Sequence, residues 1–265
     1  MGPLPSLYIF CLIALCPFIG RAAIAPSLQD IINKTLAHDD ARQKALQSMQ
    51  YDQTAVVDQL EDSGKITHHE VLRMIIRPGM PSPIQIVSVT GDSIPTDPSR
   101  TDVQAKGRDV EDNKQNFTLG ALVNRFTITL AGQDRIAGQP AYVLAFTPKP
   151  NQLYRDETEE VINQLRGRIW ISTVTYNVLQ TEASLTHPVS IAWFLAQVPT
   201  LDFHYSTQDA NADFSPSQVR ITLKVDAFFV GFHERQTIDM ANFRPRPPAS
   251  ASAAPPPSAA MASQH

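Results

Sequence analysis

The chain has 265 residues, of which 43% are hydrophobic, and its 22 basic and 26 acidic residues give a formal net charge of −4. This length suits one large domain or two small ones, and the composition is ordinary for a globular protein. A chain without a basic field is not expected to bind nucleic acid.

Residues 1–25 have the pattern of a secretory signal peptide. Residues 7–20 are apolar apart from Cys11 and Cys16, and small residues follow at a cleavage site near Ala25. A run of about 14 apolar residues is short for a membrane span, which makes an uncleaved anchor the weaker alternative. We therefore expect a periplasmic or extracellular protein with no permanent membrane span after cleavage. Because both cysteines are removed, no thiol chemistry is expected.

The segment that follows is predicted to form one amphipathic helix. Ser27 can cap its first turn, and Asp30 three residues later completes a capping box. Apolar residues then recur at helical spacing as far as Met49, with a break near residues 38–40 left open. Because its polar face is poor in lysine and arginine, we expect this helix to cover a sheet rather than to lie on a membrane.

Alternation of apolar and polar residues predicts about ten β-strands joined as sequential hairpins. The predicted strands cover residues 51–60, 65–76, 83–89, 126–130, 140–146, 167–172, 178–185, 200–206, 218–226 and 227–238. The four strands between residues 126 and 185 form a predicted central meander. The sequence does not alternate strands with helices, which argues against a parallel sheet.

Three connections complete the predicted domain. Residues 92–116 are polar and are predicted to form a loop that contains a short charged helix. Residues 117–124 are predicted to form a short helix that leads into the meander. Residues 188–198 are apolar, and they are interpreted either as a buried connection or as a short helix.

The end of the chain differs in composition from the rest. From Arg244 onward proline, alanine and serine dominate, and Met261 is the only large apolar residue. Such a segment cannot bury enough apolar surface to offset the entropy of ordering it. We therefore expect a signal peptide over residues 1–25, a folded domain over residues 26–243 and a disordered tail over residues 244–265.

No catalytic motif stands out. The sequence contains no Gly-x-Ser-x-Gly, no phosphate-binding loop and no Gly-x-Gly-x-x-Gly. His68 and His69 are neighbours on a predicted strand, so they point to opposite faces and cannot share one metal ion. The acidic residues 156–160 suit a solvated helix start. No enzymatic activity, no catalytic residue, no metal site and no cofactor are expected.

Three stretches carry a resemblance to a known family. Gly-Gln-Pro-Ala-Tyr lies within residues 132–144, Gly-Arg-Ile-Trp-Ile within residues 166–171, and Thr-Glu-Ala at residues 181–183. With the order of signal peptide, helix and hairpins, they resemble the LolA/LolB-like periplasmic lipoprotein carriers, and more closely the outer-membrane lipoprotein-sorting-like proteins. The resemblance implies an α+β fold, a curved antiparallel sheet that forms a half-open barrel with helices over its concave face. In the carriers that cavity holds acyl chains.

Two functions of different classes follow from this resemblance. The first is a secreted or periplasmic, non-enzymatic carrier that binds lipid or an acylated lipoprotein in an apolar cavity. The second is an envelope interaction module with a filled core and no ligand, whose partners are other envelope proteins. Extraction of lipid from the purified protein would separate the two.

The side chains predicted to line the cavity alternate along the strands. They are Phe126, Ile128, Leu130, Tyr142, Leu144, Phe146, Arg168, Trp170, Phe203 and Tyr205. For Arg168 and Trp170 the sequence leaves open whether they pack in the core or reach the rim of a cavity. Glutamate at Leu144 or Phe203 is expected to weaken lipid binding without unfolding the protein.

Overall fold

The computed structural model describes residues 26–92, 119–191, 196–209, 212–227 and 231–247. The predicted signal peptide lies outside the described residues. The same holds for the charged helix predicted within residues 92–116 and for most of the predicted tail.

The described residues form three helices, namely α1 (Leu28–Leu46), α2 (Leu119–Arg125) and α3 (Glu157–Ile162). The predicted capping box of α1 is present. The backbone N–H of Asp30 donates to the Ser27 hydroxyl over 3.2 Å, and the Ser27 N–H donates to the Asp30 carboxylate over 3.3 Å. Ile31 and Ile32 are buried, as a helix that covers a sheet requires. The helix continues without a break through residues 38–40.

The strands of the described part belong to one sheet of eleven. They are β1 (Met49–Leu60), β2 (Ile66–Ile76), β3 (Ile84–Gly91), β4 (Phe126–Ile136), β5 (Gln139–Pro148), β6 (Leu165–Ser172), β7 (Val178–Leu185), β8 (Val189–Ile191), β9 (Ala196–Thr207), β10 (Ser217–Ala227) and β11 (Phe232–Pro245).

All strand pairs are antiparallel, and the order across the sheet is β3-β2-β1-β11-β10-β9-β7-β6-β5-β4, with β8 paired to β9 alone. The predicted meander of β4 to β7 is present. The sheet is completed by a non-local pair, because β1 lies beside β11 with Val56 opposite Thr237. β3 and β4 are the two edges, so the sheet is not closed. The predicted fold class, an open antiparallel sheet with covering helices, is confirmed.

Three predicted boundaries differ from the structure by several residues. β4 ends at Ile136, whereas residues 126–130 were predicted. The segment 188–198, interpreted as a buried connection or a helix, instead contains β8 and the first residues of β9. The last strand begins at Phe232 and ends at Pro245, whereas residues 227–238 were predicted. It therefore extends two residues beyond the predicted domain boundary. Polar residues such as Arg244 interrupt the apolar alternation that would indicate a strand here. In the structure the Arg244 guanidinium pairs with the Asp52 carboxylate on β1 over 2.8 Å.

The sheet curves around a continuous core. Six strand-to-strand steps separate β2 from β6, which corresponds to about 29 Å in a flat sheet. However, Ile76 on β2 and Ile169 on β6 belong to one buried cluster with Ile31 of α1, and both isoleucines line the same cavity. The sheet therefore has a concave inner face, and α1 covers it.

Arg246 ties the chain after β11 to the end of α1. Its backbone N–H donates to the Ser48 carbonyl over 2.9 Å, and its guanidinium donates to the carbonyls of Gln47 over 3.0 Å and Pro78 over 3.2 Å. Cationic donors are favourable at the last carbonyls of a helix. Arg246 thus joins α1 to the turn that follows β2.

The contacts of Arg246 make it possible to test where the stabilising part of the chain ends and the tail begins. Deletion of residues 247–265 is expected to leave the melting temperature nearly unchanged, because that composition supplies no core. Arg246→Ala is expected to lower the free energy of unfolding by about 1 kcal/mol, since it removes hydrogen bonds to carbonyl groups. Thermal unfolding of both variants checks this, and a deletion that destabilises as much as Arg246→Ala would contradict it.

Glu159 on α3 is the centre of a small ionic cluster. Its carboxylate accepts from the Arg125 guanidinium over 2.9 Å and from the Arg155 backbone N–H over 2.8 Å, and it pairs with the Arg155 guanidinium. These hydrogen bonds, first those from Arg155 and then that from Arg125, lower the pKa of Glu159 to about 2. The cluster joins α3 to the end of α2.

The cluster predicts a dependence of stability on acid pH. The usual pKa of 4.5 applies to the unfolded chain, and the folded pKa of about 2 lies below it. The contribution of Glu159 is therefore present above about pH 4.5 and is lost as the pH falls towards 2. We expect the free energy of unfolding, measured in urea, to change less between pH 6 and pH 3 for Glu159→Gln than for the wild type. Glu157→Gln at an exposed position is the matched control. If Glu157→Gln reduced the pH dependence by the same amount, the assignment to Glu159 would be contradicted.

Candidate functional site

A cavity of about 470 Å³ lies between α1 and the inner face of the sheet. Its wall combines apolar and polar side chains, which come from α1, α2 and the strands that α1 covers. The apolar lining residues are Leu46, Tyr51, Ile76, Leu119, Leu122, Ile169, Val178, Phe203, Val219, Met240 and Phe243. Ligand pockets typically have volumes of about 300–1,000 Å³ and are mainly apolar with a few placed polar groups.

One group of polar lining residues lies where α1 meets the loop between β9 and β10, and others, among them Gln47, Asn177 and Thr181, lie elsewhere along the wall. The Arg42 Nε donates to the Asp213 backbone carbonyl over 2.8 Å, and the His38 Nε2 lies 3.5 Å from the Asp213 carboxylate. Other polar lining groups come from the strand ends beside this loop. We call the following set the polar rim: His38, Asp39, Arg42, Tyr205, Asp209, Asp213 and Ser217.

Burial perturbs several groups of the polar rim. Desolvation raises the pKa of the Asp39 carboxyl, and nearby Arg42 opposes that effect only in part. Burial also raises the pKa of the Tyr205 hydroxyl. Ser217 is 4% exposed, and its Oγ lies beside the Tyr205 hydroxyl without forming a well-aligned hydrogen bond among the described residues. Buried polar groups are usually satisfied, so these side chains stand out from the rest of the interior.

Of the predicted lining residues, Phe203 and Tyr205 line this cavity. The large side chains of β4 and β5 face the same side of the sheet, but they belong to or pack against the filled core. They are Phe126, Ile128, Tyr142, Leu144 and Phe146. The cavity therefore does not lie over the outer strands of the meander, as the sequence suggested, but over β6, β7, β9 to β11, β1 and β2.

Gly167 explains why the outer meander is filled. Gly167 on β6 lies opposite Phe146 on β5, and a Cβ at this glycine would be 2.6 Å from the Phe146 Cζ. The bare glycine backbone thus leaves room for the Phe146 ring. Phe126 packs edge-on against that ring with centroids 5.1 Å apart. These contacts occupy the space that a ligand would need.

The remaining predicted residues lie elsewhere. Trp170 packs on the outer face of the sheet in a second small cluster, and its Nε1 donates to the Asp134 carboxylate over 3.1 Å. Arg168 is exposed, and Leu130 is 44% exposed on the edge strand β4. Trp170 is therefore not placed to report on ligands in the cavity.

The sequence interpretation missed the α1 residues of the polar rim. His38, Asp39 and Arg42 follow the buried Ile31 at helical spacing, so they continue the stripe that faces the sheet. The sequence did contain a signal for these residues, because polar side chains on the face of an amphipathic helix that covers a sheet indicate a polar site there. The interpretation instead left open a break in the helix near residues 38–40.

The adjacent histidines of β2 take part in packing on the sheet. The Nδ1 of His69 lies 2.7 Å from Asp58, which also accepts from the Arg235 guanidinium over 2.8 Å. Burial raises the pKa of Asp58, but the hydrogen bonds from Arg235 and His69 outweigh that effect and lower it. Among the described residues, no group of three His, Cys, Asp or Glu is arranged to hold a metal ion. The helices of that same part are all too short or too polar to cross a membrane.

No protein-family model and no curated protein matches this chain. Among solved structures, a DUF1329 family protein from Desulfovibrio piger is 11% identical, with 83% of this chain and 94% of that chain covered and a TM-score of 0.36. A LolA superfamily protein from Nitrosomonas europaea is 14% identical, with 84% and 95% covered and a TM-score of 0.32. An outer membrane lipoprotein-sorting protein domain from Vibrio parahaemolyticus is 11% identical, with 81% and 93% covered and a TM-score of 0.30.

Proposed function

We propose that the mature chain is an exported, non-enzymatic carrier that binds an acyl-chain lipid, or the acylated end of a lipoprotein, between α1 and the sheet. The observation that carries this proposal is the cavity of about 470 Å³, whose wall includes a continuous set of apolar side chains. A space of this size lies within the range of known ligand pockets.

The arrangement of the wall suits an amphiphile. Phe203, Ile169 and Val219 come from different strands and offer apolar surface for an acyl chain. Each methylene that such a chain buries contributes about 0.8 kcal/mol. The polar rim lies at the junction of α1 and the loop between β9 and β10, where a headgroup keeps its contact with polar groups.

The side chains of the cavity support a non-enzymatic role. Ser217 and His38 both line it, and a serine beside a histidine is the usual pair for nucleophilic catalysis. However, the His38 Nε2 lies 3.5 Å from the Asp213 carboxylate, and among the described residues no hydrogen bond joins it to the Ser217 Oγ, so the serine is not aligned with a general base. We therefore assign these groups to binding.

A titration of the lipid-free protein with a single-chain lysophospholipid, followed by calorimetry, tests the proposal. Saturable binding is expected for the wild type. Phe203→Glu, which places a carboxylate in the apolar wall, is expected to weaken it by about tenfold or more. Val87→Glu is the matched control, because Val87 is 51% exposed and does not line the cavity.

A second variant protects the test against misfolding. Phe203 is buried, so circular dichroism must first show that Phe203→Glu folds. Val178→Trp is the second variant, and it tests the same cavity by filling it from a half-buried position without adding a charge. If the lipid-free wild type binds no lipid saturably, the carrier proposal fails, and the interaction module with a filled core becomes the better account.

A further inference from the structure

The polar rim contains one guanidinium, that of Arg42, and three carboxylates, those of Asp39, Asp209 and Asp213. Asp39 and Arg42 are three residues apart on α1, which places them on the same helix face, and both line the cavity. Their charges also act on the Tyr205 hydroxyl, which places both near the strand end of β9. Arg42 therefore places a single guanidinium next to the Asp39 carboxylate, in a set whose other charged side chains are aspartates.

The terminal N–H groups of the Arg42 guanidinium are available to bind a ligand. Its Nε is held by the Asp213 backbone carbonyl over 2.8 Å, which fixes the guanidinium beside the cavity. In the described part of the chain no carboxylate forms an ion pair with its terminal nitrogens. A planar guanidinium with free terminal N–H groups is the side chain best suited to bind phosphate oxygens in pairs.

Asp39 and Ser217 are the complementary groups. Across the described residues, no cation forms an ion pair or hydrogen bond with the Asp39 carboxylate. A bound ammonium group would restore the charged form that burial disfavours. The buried Ser217 Oγ, which lies beside the Tyr205 hydroxyl, can donate to an anionic oxygen.

From this arrangement we propose that the polar rim binds a zwitterionic phosphoethanolamine headgroup, with its phosphate at Arg42 and Ser217 and its ammonium at Asp39. This inference rests on the proposed lipid carrier and names the class of lipid. A primary ammonium donates hydrogen bonds to a carboxylate, whereas the quaternary ammonium of choline cannot. A glycerol headgroup offers the phosphate but no cation.

Calorimetric titration with short-chain phospholipids that share their acyl chains tests the headgroup. Phosphatidylethanolamine is expected to bind about tenfold more tightly than phosphatidylcholine or phosphatidylglycerol, as one desolvated charged hydrogen bond predicts. Asp39→Asn is expected to remove this preference and to leave phosphatidylglycerol binding unchanged. Arg42→Gln is expected to weaken all three lipids, because each has a phosphate.

Matched controls lie on the same helix. Asp40→Asn and Lys44→Gln make the same chemical changes at exposed positions outside the cavity lining, and both are expected to leave all affinities unchanged. Thermal unfolding of each variant checks that α1 remains folded, since the Arg42 Nε also holds Asp213.

The outcomes separate this inference from the carrier proposal. Equal affinity for the three phospholipids, or no effect of Asp39→Asn on phosphatidylethanolamine, would overturn the headgroup assignment and leave the carrier intact. Failure of every lipid to bind would overturn both. Soluble glycerophosphoethanolamine that bound as tightly as the lipid would support the headgroup site but contradict a role for the acyl chain.

Discussion

Gly167→Ala is expected to destabilise the protein by about 3 kcal/mol, because the added Cβ has no room. It would overlap the backbone carbonyl oxygen of Glu182 on β7 and lie 2.6 Å from the Phe146 Cζ and 2.9 Å from the Ala183 Cα. Two of these three neighbours are backbone atoms of a paired strand, so the sheet itself must shift. Urea unfolding of the variant measures the change.

Gly120→Ala is the matched control for this prediction. Gly120 lies on α2, and a Cβ there would meet only the Leu36 Cδ2 at 3.9 Å, which is an ordinary contact. Alanine also has the higher helix propensity, so we expect this variant to be neutral or slightly stabilised. Equal stability of the two variants would show that β6 and β7 can separate without loss, contrary to the packing described above.

Leu144→Ala is expected to destabilise the protein by about 2–5 kcal/mol, because Leu144 is fully buried between the sheet and its covering elements. The earlier expectation for Leu144→Glu changes for the same reason. A carboxylate at a position with 0% exposure that does not line the cavity would be buried without a partner. We expect it to unfold the domain rather than to weaken lipid binding selectively.

Leu130→Ala controls for the leucine side chain itself. Leu130 lies directly opposite Leu144 in the β4–β5 pair, on the same face, but it is 44% exposed at the edge of the sheet. We expect a loss of less than about 1 kcal/mol, because little apolar surface is removed from water there. Similar losses for Leu130→Ala and Leu144→Ala in urea unfolding would mean that the outer meander is not the filled part of the core.

The local features of this fold could be predicted from short stretches of sequence. Ser27 and Asp30 form their capping box because both partners lie within one turn. The hairpin between β4 and β5 turns at Ala137 and Gly138, whose φ angles of 47° and 81° suit a tight turn. The alternation of apolar side chains correctly predicted which residues of β5 face inward, because successive side chains on a strand point to opposite faces.

The non-local features could not be predicted in the same way. The β1–β11 pair joins residues from the two ends of the domain, and neither strand carries a local signal for its partner. The alternation of side chains along β5 could not show that Phe146 fills the space beside Gly167, because that contact depends on packing between neighbouring strands. For the same reason, the position of the cavity under the second half of α1 emerged only from the assembled sheet.

Thiol protection inside the cavity tests the central claim most directly. Both cysteines of the chain lie within residues 1–25, so a chain starting at residue 26 contains no cysteine, and a single cysteine can be introduced by Val178→Cys. Val178 lines the cavity, whereas Val174 in the turn before it is 68% exposed and does not. We expect a bound lipid to slow maleimide modification at position 178 in a saturable manner and to leave Val174→Cys unaffected. No protection at position 178 by any lipid, or equal protection at both positions, would contradict a ligand between α1 and the sheet.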